Sequence, residues 1–484
     1  MEGLFNVPLK RSKTVGSQPS GLNNPQISQD EIFTELFHQY TTKSKDALQI
    51  SFITSTKKPQ KRYHPFYTHQ FFGNMEVILG YTNLQISLTY TPSGRHCLLE
   101  QTQEDMIPFK NKDNKWNSSP EQIFQKINKY FVEGSLMKDP DAWTEHLVDE
   151  IKTGWKPPGK LINEFKINLG KKKSTTEEEK EKEKEKEQEK EQETKQEQEQ
   201  EQEQEKTYVV YRGTFEDKEF SNYFHTIEHI LIYFINAASF LQLEDKRWVV
   251  YLLFEKSEPK TQEESPTYLL AGIMTAYRHF YYPDKFRFRV SQALILPPFQ
   301  GHGFGRKLLG LMYEEAWADK NVAEITVEAP VENFQKMRIS LDLMLCWKNN
   351  FLLEKDKEDP NFVNQDQIKM IQKKLKFHKK QINRCIEVAW YHSFQKRKQS
   401  KIKEEIKEKK TELEEEEEDD DDDEEEEEEF RNFTLATKKR IIAQLGVYDT
   451  DESKMRKDLE NKFQLELKSF ERISQKAIQG LKKN

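Results

Sequence analysis

The sequence predicts a mixed α/β (α+β) fold, on three observations. Between residues 221 and 330 the apolar spacing switches between helical and strand periods, with one glycine-rich loop in the middle. From 31 to 170 short β-like runs predominate, as in "EVILGYTNLQISLTYT", where apolar and polar residues alternate and Gly and Asn break the run. Beyond Asn350 the spacing turns helical, as in "IKMIQKKLKFHKKQINRCIEVAWYHSF". That order implies a mixed sheet with flanking helices, a smaller α+β domain ahead of it and a helical region behind it.

In chain order, residues 1–30 are polar and predict a disordered lead, and 31–170 predict the small α+β domain. Residues 171–206 form a low-complexity insertion; from 177 to 206 they hold only Glu, Lys, Gln and one Thr. A strand, "TYVVYRGTF", resumes directly after it. Next, "SNYFHTIEHILIYFINAASFLQL" (221–243) has helical length and is apolar over most of its surface, which predicts one buried helix. "RWVVYLLFEK" (247–256) and "TYLLAGIMTAYRHFYY" (267–282) read as a strand pair, and "FRFRVSQALIL" (286–296) as another strand. A helix from Arg306 and a strand "AEITVEAP" (323–330), stopped by Pro330, complete a domain over 207–345. A basic helical region spans 346–410, an acidic disordered run 411–429, and further helices 430–484.

The chain's 35% hydrophobic content is low for a globular protein of 484 residues, and the two charged tracts account for the deficit. With no apolar side chain, neither tract can offset its ordering entropy by burial. The net charge of −8 conceals an asymmetry: 414–429 carries 16 negative charges and 177–206 a net eight, so the remainder stands at +16. A polyacidic run on a basic body fits a basic partner, intramolecular masking or solubilisation. Cys97, Cys346 and Cys385 are widely separated, which argues against a disulfide scaffold or a zinc site. The amino terminus lacks a signal-peptide core and no 18-residue apolar stretch is present, so the expected setting is the cytoplasm and nucleus, without a membrane.

The loop "LILPPFQGHGFG" (294–305) carries the chemistry. A dinucleotide fingerprint needs a third glycine where Arg306 stands, and a phosphate-binding P-loop needs GxxxxGK[ST]; both patterns fail. A tight strand-to-helix turn requires fewer than three alternating glycines. The reading that survives is an anion cradle, in which unhindered backbone N–H groups at a helix N-terminus face a pyrophosphate and Arg306 adds charge at the rim.

Gln300-Gly301-His302-Gly303-Phe304-Gly305 resembles the Q/R-x-x-G-x-G/A signature of the Gcn5-related N-acetyltransferases (GNAT), whose loop binds the coenzyme A pyrophosphate. "YPDKFRFRVSQALILPPFQGHGFGRKLL" with "EITVEAPVENFQKMR" resembles the type B histone acetyltransferase catalytic subunits, as do "YTHQFFG", "FINAASF" and "RWVVYLLFEK" in the same order. The resemblance runs from about residue 60 to 400, apart from the insertion.

It implies a GNAT mixed sheet in which acetyl passes from acetyl-CoA directly to a lysine amine, with acetyl-CoA as co-substrate and no metal. Coenzyme contacts fall on Ala293, Leu294 and Ile295, with bare N–H groups near Leu294 or Ile295 polarising the thioester. The pyrophosphate falls on Gln300, Gly301, His302, Gly303, Phe304, Gly305 and Arg306, and Asn333 lies near the sulfur. Glu328 matches the general base. The family's second and third acids are absent, since Ala329 stands in place of an Asp and Asn236 in place of a Glu. The peptide groove maps to Asn74, Met75, Glu76, Tyr277, Arg278 and His279, with Glu76 as partner for a tail cation and Arg278 repelling one.

The implied function is acetylation of the amino-terminal tail of newly synthesised histone H4, with a WD40-repeat histone chaperone as partner and no direct nucleic-acid contact. The rivals are a histone-binding, chaperone-like scaffold with little catalysis, and an acetyltransferase for another lysine protein or a polyamine. The complete glycine loop favours an enzyme over the scaffold.

Overall fold

The structure is a computed structural model that describes residues 38–53, 62–106, 120–168, 205–259, 265–352, 365–408, 420–445 and 452–482. The expected lead at 1–30, residues 171–204 of the insertion and residues 411–419 of the acidic run lie outside the described residues. The chain divides into two compact units, Met1–Ile273 with Leu294–His302, and Met274–Ala293 with Gly303–Asn484.

The first unit opens with β1 (Thr41–Lys43), α1 (Ser44–Ala47), β2 (Leu48–Phe52), α2 (His69–Phe72), β3 (Val77–Leu79) and β4 (Tyr81–Thr82). It continues with β5 (Gln85–Tyr90), β6 (Cys97–Thr102), β7 (Asp105–Met106), α3 (Pro120–Asn128), β8 (Leu136–Met137) and α4 (Pro140–Thr153). Strands β2, β5, β6 and β8 form a sheet in that order, parallel in both outer pairs and antiparallel in the centre. Ile86, Leu88 and Tyr90 of β5 are buried at a spacing of two, the period that puts one strand face on a core. Helix α4 starts where the Asp139 side chain accepts the Asp141 N–H at 3.0 Å, and it stops at Gly154, left-handed at φ 68°.

A second sheet of this unit places β9 (Lys160–Asn168), β10 (Glu205–Thr214), β11 (Trp248–Ser257) and the leading part of β12 (Thr267–Tyr281) side by side. Asn168 and Glu205 are register partners on β9 and β10, so the low-complexity insertion leaves and rejoins the sheet at adjacent rungs. Its last two residues, Glu205 and Lys206, are already strand.

The segment 221–243 is not one helix. Helix α5 (Lys218–Ile227), capped by the Asp217 carboxylate, buries Phe220, Tyr223, Phe224 and Ile227, then tightens into a 3₁₀ turn over Glu228–Tyr233. The reason is local. Glu228 Oε2 accepts the Leu241 N–H at 3.1 Å and Ala237 is left-handed at φ 54°, which turns the chain back.

The second unit holds the trailing part of β12, then β13 (Lys285–Ile295) as far as Ala293, α6 (Phe304–Ala318), β14 (Val322–Val327) and α7 (Glu332–Lys348). Helices α8 (Gln365–Leu375), α9 (Lys379–Glu408), α10 (Asp420–Leu445) and α11 (Glu452–Lys482) follow. Buried Phe463, Leu467, Phe470, Ser474 and Ala477 form the helical-period face by which α11 packs on α7 and α9. Arg440 and Arg384 converge on Glu466 and Glu387, and Trp390, Phe394, Phe430 and Phe433 stack beside them.

Residues 420–429 of the acidic run, expected without regular structure, are helical and open α10. Long-range charge supplies what composition withholds: Arg397 of α9 meets Glu426 at 3.5 Å and Glu429 at 2.7 Å, and Lys401 meets Glu426 at 3.5 Å.

Candidate active site

β13 and β14 are parallel partners from Phe286↔Val322 to Val290↔Val327, where the register ends. Ser291–Ile295 therefore continue β13 without a β14 neighbour. The open edge can be oriented from its own hydrogen bonds. The Gln292 N–H donates to Thr275 Oγ1 at 3.1 Å and the Leu296 N–H to Ala271 O at 2.9 Å, both on β12. Backbone groups alternate sides along a strand, so the N–H groups of Ala293 and Ile295 face the side that β14 has left. The expectation of a free amide near Leu294 or Ile295 thus narrows: Leu294 aligns with Gln292 and Leu296 toward β12, and the outward pair is Ala293 and Ile295. A Cβ on Gly272 would come within 2.7 Å of Ile295 Cδ1 and 3.0 Å of Leu294 O, so only glycine lets β12 lie this close.

In the loop that follows, Gln300 Nε2 donates to Ile295 O at 2.8 Å and ties the turn to the strand end. Gly301 and Gly303 adopt φ 85° and 87°, in the region that favours glycine. A Cβ on Gly303 would meet nothing within 4 Å, so the surface over it is open. Gly303 is the N-cap of α6 and offers no side-chain cap, and the first bond closing on it is Lys307 N–H to Gly303 O at 3.0 Å. The amides ahead of that bond, through Gly305 and Arg306, have no intrahelical acceptor. Uncapped amides at the positive end of a 15-residue helix suit a diphosphate. Phe304 is buried and anchors the turn, while His302 is half-buried.

The Arg306 guanidinium does not stand at the loop's rim. It donates to Ser340 Oγ at 3.2 Å, to Lys476 O at 3.3 Å and to Met344 Sδ at 3.0 Å, between α7 and α11. Burial there lowers its pKa from the usual arginine value. Its contribution to an anion at the loop is confined to its backbone amide.

Glu328 follows the last residue of β14 and is exposed. Its N–H donates to Val290 O at 2.9 Å, and its Oε2 accepts from the Ser291 hydroxyl at 2.9 Å. Ser291 was not singled out from sequence; the signal was its place two residues before Ala293, on the same strand face. Ala329 beside it takes a left-handed φ of 33°, and Asn333 is exposed in the first turn of α7. Asn236 is exposed in the first unit.

The residues expected in a peptide groove are already engaged. Glu76 Oε1 accepts the N–H groups of Thr68 and His69 at 2.7 and 3.1 Å, and its Oε2 pairs with Lys45 at 2.6 Å. Burial works against its ionisation, but the Lys45 and Thr68 bonds outweigh that and lower its pKa. It caps α2 and neutralises Lys45, which corrects the expectation of a carboxylate free for a tail cation. Asn74 and Met75 beside it are exposed.

Tyr277 and His279 share a face of β12, with ring centroids 4.5 Å apart. Arg278 points to the other face, where Nη2 meets Glu315 of α6 at 3.3 Å and the guanidinium lies over Phe288. It is neutralised there, so the expected repulsion of a substrate cation does not follow. Among the described residues no cluster of three or more His, Cys, Asp or Glu is arranged to hold a metal.

A parallel strand pair that parts at its C-terminal half, followed by a glycine turn into a helix, is the mixed α/β arrangement that the resemblance to the Gcn5-related N-acetyltransferases led one to expect. A family model described as "Histone acetyl transferase HAT1 N-terminus" matches residues 40–236. Proteins named histone acetyltransferase type B catalytic subunit are similar over most of their length. That of Candida albicans is 26% identical over 362 residues, covering 72% of this chain and 75% of that protein. That of Kluyveromyces lactis is 26% identical and covers 77% and 84%, and that of Homo sapiens is 25% identical and covers 72% and 74%. A solved aminoglycoside acetyltransferase from a soil metagenomic sample covers 31% of this chain and 91% of its own, at 15% identity and a TM-score of 0.19, too small an overlap to bear on function. By these comparisons the chain is similar to proteins named as type B histone acetyltransferase catalytic subunits.

Proposed function

We propose that the chain acetylates lysines in the amino-terminal tail of newly synthesised histone H4, using acetyl-CoA, with Glu328 as general base and a WD40-repeat histone chaperone as partner. The observation that carries the reading is the pairing of an open β13 edge with a carboxylate fixed at the point where β14 departs. Acetyl-CoA would supply the acetyl group as an activated thioester. The amides of Gly303, Gly305 and Arg306 would hold its diphosphate, and the outward amides of Ala293 and Ile295 would bind along its chain and polarise the thioester carbonyl.

The acceptor lysine presents the harder problem. With a pKa of about 10.4, only about 0.04% of it is neutral at pH 7, a deficit of roughly 4.6 kcal/mol. Glu328 removes the ammonium proton through Oε1, since Oε2 is occupied by Ser291. The family's other two acids are missing at Ala329 and Asn236, so this carboxylate acts without them.

Glu328→Gln is expected to lower kcat at pH 7 at least about a hundredfold, with little change in coenzyme A affinity. An unchanged rate removes Glu328 from the role. Comparing H4-tail, H3-tail and spermidine acceptors tests the substrate, and coenzyme binding without turnover on any of them would favour the scaffold reading.

A further inference from the structure

A general base at the end of a strand has a difficulty of its own. Glu328 is exposed and carries three rotatable side-chain bonds, so left alone it would sample many positions at a cost in rate. We propose that Ser291 is the positioning residue for Glu328, holding one carboxylate oxygen so that the other faces the acceptor amine. This inference rests on the reading of Glu328 as base.

Two attachments converge on this residue, and both come from the place where the sheet parts. The Glu328 N–H reaches Val290 O at 2.9 Å, one rung beyond the last register pair, Val290↔Val327. The Ser291 hydroxyl reaches Oε2 at 2.9 Å across the same opening. The first fixes the backbone and the second fixes the side chain. Ser291 is the first β13 residue past the paired region, so no β14 side chain competes for its hydroxyl.

A serine suits this position chemically. It donates through a single short arm without adding charge, whereas a lysine or arginine here would pair with the carboxylate outright and blunt it as a base. The charged neighbours on this face are already distinguished by strand spacing. Arg287 lies four residues before Ser291 and is paired with Glu324 at 2.6 Å, and His378 approaches the other oxygen of that same Glu324 at 3.7 Å. Arg289 lies between, opposite Thr326 in the register. In the first turn of α7, Glu332 and Lys336 neutralise each other. None of these makes a hydrogen bond or an ion pair with Glu328 in the structure, and the serine does.

The test compares Ser291→Ala, Ser291→Thr and Glu328→Gln in the full chain, with acetyl-CoA and an H4-tail peptide, across pH 6 to 9. Thermal melts come first, to show that each variant folds. Ser291→Ala is expected to lower kcat about tenfold, in line with one hydrogen bond to a charged group. Its KM for acetyl-CoA should stay within about twofold, because the serine touches the carboxylate and not the coenzyme. Ser291→Thr retains the hydroxyl and suits a strand, so it should recover most of the rate. A Ser291→Ala enzyme with wild-type kcat, beside a slow Glu328→Gln, overturns the proposal and leaves the base reading standing. A Ser291→Thr enzyme as slow as the alanine variant also overturns it. If Glu328→Gln keeps its rate, the base reading fails, and the serine has nothing to position.

Discussion

The Arg306 guanidinium donates to both the hydroxyl and, at 3.5 Å, the carbonyl of Ser340, thirty-four residues away. An arginine in the first turn of α6 is therefore used to hold α7 and α11 against that helix. Arg306→Ala should destabilise the second unit by about 1–3 kcal/mol, the cost of stranding partly buried partners. Urea unfolding measures this. A raised KM for acetyl-CoA without a loss of stability would return the guanidinium to the coenzyme.

Ala329 carries backbone strain immediately beside Glu328. At φ 33° it occupies a region where alanine is disfavoured and Asn or Asp is tolerated. Ala329→Asn should raise stability by about 0.5 kcal/mol, seen as a higher urea midpoint at unchanged slope. A lower midpoint would mean that the turn is held by something other than local conformation.

His229 is a buried neutral imidazole, with Nε2 3.0 Å from Tyr90 Oη and its ring 3.8 Å from that of Phe131. Burial lowers its pKa from 6.5 to about 3. Below pH 6.5 the unfolded chain takes up a proton that the folded chain refuses, so stability falls as pH drops from 6.5 toward 3. His229→Phe keeps the ring packing and removes the titration. Its stability should depend less on pH in that window, by on the order of a few kcal/mol, and chemical denaturation at pH 4.5 and 7.5 checks this.

Arg397 stands between two glutamates of α10. Arg397→Glu should free the start of α10, and hydrogen exchange should speed up there at least about tenfold while α6 amides keep their protection. Unchanged exchange in α10 would show that its aromatic contacts suffice.

The strands and the glycine turn were legible in sequence because their signals are local. Alternation marks β13 and a long apolar run marks β12, the glycines supply the left-handed conformation that the turn needs, and only the end of β14 falls short of Pro330, at Val327. What sequence misplaced depends on which partners the fold brings to a side chain. The helix expected over 221–243 was cut short by Glu228 reaching Leu241, and the acidic run became helix beside Arg397. Arg306, Arg278 and Glu76 have the charge expected of them, but Ser340, Glu315 and Lys45 had already claimed it. The pairing of Ser291 with Glu328 was not readable, because it depends on where β14 leaves β13.

The seating of α11 has a practical result for anyone who shortens this protein. Its residues 476 and 480 lie against Arg306 in the first turn of α6, so α11 braces the start of that helix from behind. A fragment ending at the acidic run would strip the cover from α7 and loosen that turn from behind. Its poor activity would then be a folding defect, with every catalytic group still in the chain.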